Sequence, residues 1–165
     1  MRTKPILIGV AAVLAVIGVA LMAYRWGVPR QPALCQVCGR PILPETAYRM
    51  ETAHGTIKAC CPRCAMHDMI DHPGMVRRAW ATDFDSRRMI PAETAYYDEG
   101  GAVQYCTRGH DPMERGPEGV SQRVYDRCLP TLVAFATRDE AEAYRQQHGG
   151  RILSYQEAVE SVRSQ

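Results

Sequence analysis

The sequence predicts an α+β fold: two small strand-and-helix modules sharing one core, behind an N-terminal transmembrane helix. Three observations lead there. The first is an uncharged apolar run, Ile6–Met22. The second is a pair of C-x-x-C motifs, Cys35-Gln-Val-Cys38 and Cys61-Pro-Arg-Cys64, on either side of a stretch that reads as a hairpin. The third is a tail in which strand and helix alternate. Each of its helices is opened by a capping box, Thr137-Arg-Asp-Glu140 and Ser154-Tyr-Gln-Glu157.

Arg2 and Lys4 precede the apolar run, and Tyr24-Arg25-Trp26 closes it. The run approaches the roughly 20 residues that cross a bilayer. Tyr24 and Trp26 suit its interface. A cleaved signal sequence has a shorter apolar core and a small-x-small site, of which Ala20-Leu21-Met22-Ala23 is a poor version. Residues 1–26 therefore read as an uncleaved, single-pass anchor. The flanking charges lean toward a cytoplasmic N-terminus and an external domain, a setting in which disulfides are possible. Residues 27–34, with Pro29 and Pro32, read as a tether. The domain then occupies residues 35–165, divided into a cysteine-knuckle module (35–75) and a second module (76–165). The chain has 20 Lys and Arg against 18 Asp and Glu. That balance gives no basic face for nucleic acid.

In the first module, Cys38-Gly39-Arg40-Pro41 is a knuckle turn. Ala47–Glu51 and Thr56–Cys60 flank the turn His54-Gly55 and form the hairpin. Pro62 suits the first turn of a helix that carries Met66, Met69 and Ile70 and stops at Pro73-Gly74. Strands follow at Arg78–Asp83 and Ala95–Tyr97, turning at Asp85-Ser86 between them. A further strand is expected at Ala102–Cys106, a long polar loop at Arg108–Gly119 and a short strand at Val124–Cys128. Leu132–Ala136 is a buried-type strand. The next helix ends near His148 and is capped by Gly149-Gly150. Arg151–Leu153 is a strand, and a terminal helix follows Ser154.

The cysteines, seven in all, carry the chemistry. Two tight turns bearing two sulfurs each suit a tetrahedral soft or borderline cation, so Cys35, Cys38, Cys61 and Cys64 are candidate ligands for zinc or copper(I). One or two disulfides are the alternative. By strand alternation Cys60 faces away from Cys61 and reads as a spare buried thiol. Cys106 and Cys128 suit either a disulfide or, with His110 and Met113, a soft copper site. A C-x-x-C at a helix start also suits thiol–disulfide exchange, but a hairpin before Cys61 is not the frame of thioredoxin-like proteins. There is no Gly-rich phosphate loop, no H-E-x-x-H and no nucleophile elbow, so the chain does not read as an enzyme. Three roles stay open: a metal-binding delivery protein, a thiol–disulfide protein using Cys61 and Cys64, and a zinc- or disulfide-stapled interaction domain.

The tail from Ala134 to Ala158, with its Ala-Phe strand, Thr-Arg-Asp-Glu cap and Gly149-Gly150, resembles the NosL family. So do Cys38-Gly-Arg-Pro-Ile42 and Met89-Ile-Pro-Ala-Glu-Thr-Ala-Tyr-Tyr97. The resemblance covers most of residues 35–160 and marks a divergent, cysteine-rich member. NosL proteins are membrane-attached copper(I)-binding accessory proteins in the maturation of nitrous oxide reductase. The resemblance thus implies a two-module α+β fold, a copper(I) cargo and a recipient metalloprotein, nitrous oxide reductase or another copper enzyme. It also implies a domain on the periplasmic or extracellular side of a bacterial inner membrane. Arg40 stands where the family usually has Met, the second C-x-x-C is not the usual family pattern, and the anchor replaces a lipoprotein cysteine. Cys128 falls where the family has a Met that is a copper ligand, and a cysteine there keeps a soft sulfur donor.

Overall fold

The protein is described by a computed structural model that covers residues 3–27, 32–106, 113–116, 119–122 and 126–164, with side chains at 13–26, 32–106 and 126–164. The chain divides into two units, Met1–Gln31 and Pro32–Gln165. The first holds helix α1, Thr3–Gly27, whose described side chains are all exposed. Among the described residues no helix is long and apolar enough to cross a membrane.

The second unit is α+β. Strand β1 (Tyr48–Thr52) pairs antiparallel with β2 (Gly55–Ala59) through the tight turn at His54-Gly55. Helix α2 (Pro62–Asp71) follows at once, with Pro62 in its first turn, where a missing N–H costs nothing. Strand β3 (Val76–Thr82) returns to β1, and β4 (Met89–Pro91) pairs with β3, so the first sheet runs β2-β1-β3-β4. After one 3-10 turn, β5 (Tyr96–Glu99) starts a second antiparallel sheet. It lies between β8 (Leu132–Phe135) and β9 (Arg151–Leu153). Between β5 and β8 the chain also forms a hairpin of β6 (Met113–Gly116) and β7 (Gly119–Gln122). Helices α3 (Arg138–His148) and α4 (Tyr155–Arg163) complete the unit, and both expected capping boxes are made, on Thr137 and on Ser154.

Strand β8 shows why the core sits where it does. All four residues are apolar and buried, because both faces of the strand are covered. Leu132 and Ala134 point into the main core with Tyr48, Met50, Met66 and Tyr97. Val133 and Phe135 point the other way, onto Ala141 and Tyr144 of α3. The two sheets meet at the end of β3: Phe84 N–H donates to Ala134 O at 2.9 Å, and Ala136 N–H donates to the buried carboxylate of Asp83 at 2.9 Å.

Several expected elements are redrawn. The boundary at 75/76 cuts through the first sheet, because β3 belongs beside β1. Ala95–Tyr97 is not the partner of β3. Arg87, at φ 61°, reverses the chain so that Met89–Pro91 takes that place, and β5 goes to the second sheet. Ala102–Cys106 forms no strand; Ala102 N–H is spent on His148 O at 2.7 Å, and Tyr105 and Tyr144 join through their hydroxyls. The polar loop over Arg108–Gly119 contains β6 and the start of β7. Cys128 lies in a turn, because Asp126 takes its N–H through the side chain and that of Leu129 through the backbone, both at 2.9 Å.

Candidate metal centre

All seven cysteines are free thiols, and they converge on one place in the second unit. Cys35 and Cys38 come from the knuckle. Leu34 bridges Pro41, Cys35 N–H donates to Arg40 O at 2.8 Å, and Gly39 N–H to Cys35 O at 2.9 Å. Gly39 has φ 74°, which a side chain resists. The knuckle docks on the sheet edge: Gln36 N–H donates to Lys58 O at 2.9 Å, and Lys58 N–H to Gln36 Oε1 at 2.6 Å. That two-way bond brings Cys38 against Cys60, one residue past the end of β2, with sulfurs 3.5 Å apart.

Cys61 is the N-cap of α2, its sulfur accepting the Cys64 N–H at 3.4 Å. One turn on, Cys64 Sγ lies 3.8 Å from Cys35 Sγ. The chain after Leu132's partner strand contributes the last members. Cys106 follows the irregular segment after β5, and its thiol donates to Cys60 O at 3.5 Å. Cys128, in the Asp126 turn, places its sulfur 3.7 Å from that of Cys60.

The sulfurs form two groups that share one residue. Cys35, Cys38, Cys60 and Cys64 lie within 4.8 Å of one another, and so do Cys60, Cys61 and Cys106. With Cys128 at 3.7 Å, Cys60 is close to every other cysteine in the chain. The expected tetrad is therefore drawn differently. Cys35, Cys38 and Cys64 come together with Cys60, and Cys61 and Cys106 form a second group with Cys60. Alternation fails at Cys60 because β2 ends at Ala59 and the chain bends before the helix. Cys106 and Cys128 lie in the same cluster as free thiols, not as a disulfide. His110 lies outside the described residues. Met113 opens β6, and its side chain lies outside the described atoms.

Size and chemistry both fit a soft or borderline cation. A tetrahedron of zinc–sulfur bonds of about 2.3 Å has edges of about 3.8 Å, close to the 3.5 and 3.8 Å found in the group of four. Six of the thiols are buried, and only Cys38 is partly exposed. Hydrogen bonding among the thiols sorts their protons. The bond with Cys128 raises the Cys38 thiol, but those with Cys35, Cys60 and Cys64 outweigh it and bring it down to about 3. The Cys35 thiol is raised by Cys38 and lowered more strongly by Cys60 and Cys64, to about 6. Cys60 is pushed up, first by Cys106 and Cys128.

Two basic residues that sequence reasoning missed hold this cluster. Arg40 is mostly buried and forms an ion pair with Asp126 at 2.6 Å. Its other guanidinium nitrogen donates to Cys106 O. One side chain thus fastens the turns of Cys106 and Cys128 to the knuckle. Burial opposes the Arg40 charge, but Asp126 and the thiolate character of Cys128 and Cys38 push its pKa up. Arg63, inside the second C-x-x-C, is fully buried and pairs with Glu99 at 2.7 Å. Glu99 also accepts from Ser161 at 2.6 Å and from Arg151 Nε at 2.8 Å, tying α2 to the second sheet and α4. The only sequence signal for Arg63 was its place between two cysteines, and charged residues are seldom fully buried.

No family model matches the chain. The HTH-type transcriptional repressor CutR of Bacillus subtilis (strain 168) is 22% identical over 136 residues, which covers 81% of this chain and 60% of the repressor. The chain thus spans about three fifths of the length of that relative. Among solved structures, the copper chaperone NosL from Shewanella denitrificans matches with a TM-score of 0.55 at 17% identity, over 79% of this chain and 92% of that one. The likeness extends over nearly the whole of that chaperone, and the fold of this protein is NosL-like.

Proposed function

We propose that this protein binds copper(I) through its thiol cluster and delivers it to a recipient metalloprotein. The observation that carries this reading is the convergence of seven unpaired, mostly buried cysteines on a NosL-like fold. Thiolates select copper(I) and zinc over harder ions. Delivery needs a ligand that a partner can reach, and Cys38, the one partly exposed thiol of the cluster, offers that edge. Copper would leave by ligand exchange starting there, one sulfur at a time. The role is binding and transfer, not catalysis. The recipient would be nitrous oxide reductase or another copper enzyme. Residues 1–26 would anchor the chain in a bacterial inner membrane, with the domain on the periplasmic or extracellular side. The apolar run Ile6–Met22 and its aromatic flank support the anchor.

A second reading, structural zinc in the group of four, is favoured by the tetrahedral spacing there. Thiol–disulfide exchange through Cys61 and Cys64 is disfavoured, because both sulfurs are buried and an attacking thiol must be accessible. The test is an anaerobic titration of the full chain with copper(I) against a coloured copper(I) chelator. Copper held in competition, and passed to an acceptor more slowly by Cys38→Ser, supports the reading. Loss of all copper to a weak chelator rejects it. Fractionation of the cells that make the protein tests the anchor: recovery in the soluble fraction rejects it.

A further inference from the structure

We propose that the cluster is polynuclear: it holds at least two copper(I) ions on one chain, with the Cys60 thiolate bridging them. The inference rests on the copper(I) reading and goes beyond it in number and geometry of the ions.

A single ion needs at most four sulfurs, and the group of Cys35, Cys38, Cys60 and Cys64 already supplies them. Three more thiols then have no stated purpose, yet they are not scattered. Cys61 and Cys106 form a second group with Cys60, and Cys128 touches Cys60 at 3.7 Å. The two groups have Cys60 in common, and a thiolate sulfur has lone pairs enough for two metals. Cys60 is fully buried and central, where a bridge belongs, and Cys38 is at the rim.

Charge favours the same arrangement. Buried thiolates are costly unless neutralised. The cations seated against these turns, Arg40 and Arg63, are already paired with Asp126 and Glu99. Each added copper(I) cancels one negative charge, and a bridging thiolate serves two ions for a single charge. Sharing Cys60 therefore leaves two joined sites with one buried negative charge fewer than two separate sites would carry. The chemistry balances without an oxidant: each copper(I) enters as a cation, each coordinating thiol gives its proton to solvent, and neither copper nor sulfur changes oxidation state.

The test uses the full chain, reduced and kept anaerobic, loaded with copper(I) and examined in three ways. Native mass spectrometry counts ions on the monomer, X-ray absorption at the copper edge looks for copper–copper scattering, and emission reports a solvent-shielded cuprous thiolate cluster. The expected result is two or more copper ions per monomer, bound together rather than stepwise, with an all-sulfur shell and a copper–copper distance. Cys60→Ser should then lose the copper–copper signal. Cys106→Ser, which leaves the group of four intact, should lower the count while keeping one ion. Should Cys60→Ser fail to fold, the wild-type scattering and the Cys106→Ser count still decide. One copper per chain without copper–copper scattering overturns the polynuclear site and leaves the copper(I) reading standing. One zinc in the group of four beside a single copper overturns it as well. No copper at all overturns both.

Discussion

Replacing Glu99 by Gln separates the architecture of the cluster from its sulfur chemistry. Glu99 is 4% exposed and its partner Arg63 is wholly buried. Glu99→Gln keeps the shape but removes the charge that faces Arg63 and Arg151, and leaves a buried guanidinium uncompensated. Breaking one side of such a pair costs about 3–5 kcal/mol, a large part of the roughly 5–15 kcal/mol that holds a domain. Arg63 lies between Cys61 and Cys64, so the loss also loosens the helix start that presents both sulfurs. Burial raises the Glu99 carboxyl, but the bonds from Ser161, Arg63 and Arg151 outweigh it and hold the pKa below the usual range. Its contribution is therefore present above the ordinary carboxylate pKa and is lost as pH falls through the lowered folded value. The assay is anaerobic urea unfolding of metal-free protein across pH for the wild type, Glu99→Gln, Arg63→Met, and the double variant Arg63→Met with Glu99→Leu. The singles should lose about 3–5 kcal/mol at neutral pH, less in acid, and the double should recover most of that loss. A single-variant loss under about 1 kcal/mol, or a double variant as unstable as the singles, would refute this account of the buried pair.

Other expectations follow from the same contacts. Burial pushes the Asp98 carboxyl up to about 6, and one of its oxygens has no hydrogen-bond partner. Its ionisation therefore costs stability above that pH, so Asp98→Asn should stabilise the protein by about 1–3 kcal/mol at pH 8 and change little at pH 4, as read by thermal unfolding. Gly150 has φ 100°, and a Cβ there would lie 2.3 Å from Asp98 Oδ1, so Gly150→Ala should lose roughly 1–3 kcal/mol in urea. Arg40→Met should leave the knuckle in place but release the turns of Cys106 and Cys128, seen as faster alkylation of those two thiols than of Cys64.

How legible this was in the sequence depends on the range of the force involved. Both capping boxes, the hairpin before Cys61 and the β8 strand are local or periodic features, and they stand where the residues indicate. The partner of β3 was misread because Arg87 makes a positive-φ turn that no glycine announces. The cluster was half legible. The spacing of Cys35, Cys38 and Cys64 marks a metal-type site, but Cys60 was lost to an alternation that ends one residue too soon. Arg40 stood out in the sequence only as a departure from the motif of the family it resembles. In the fold it has its own task, since its reach to Asp126 and Cys106 spans separations no local pattern records.

The central claim is that the seven cysteines act as one reduced cluster that takes up soft metal. The most direct measurement isolates the full chain without oxygen, then counts thiols in denaturant and bound copper and zinc together, before and after copper(I) is supplied. The account predicts seven thiols per chain, no disulfides, and copper retained through gel filtration at no less than one ion per chain. Cysteines locked in disulfides with no metal taken up would contradict it and leave a disulfide-stapled domain in its place.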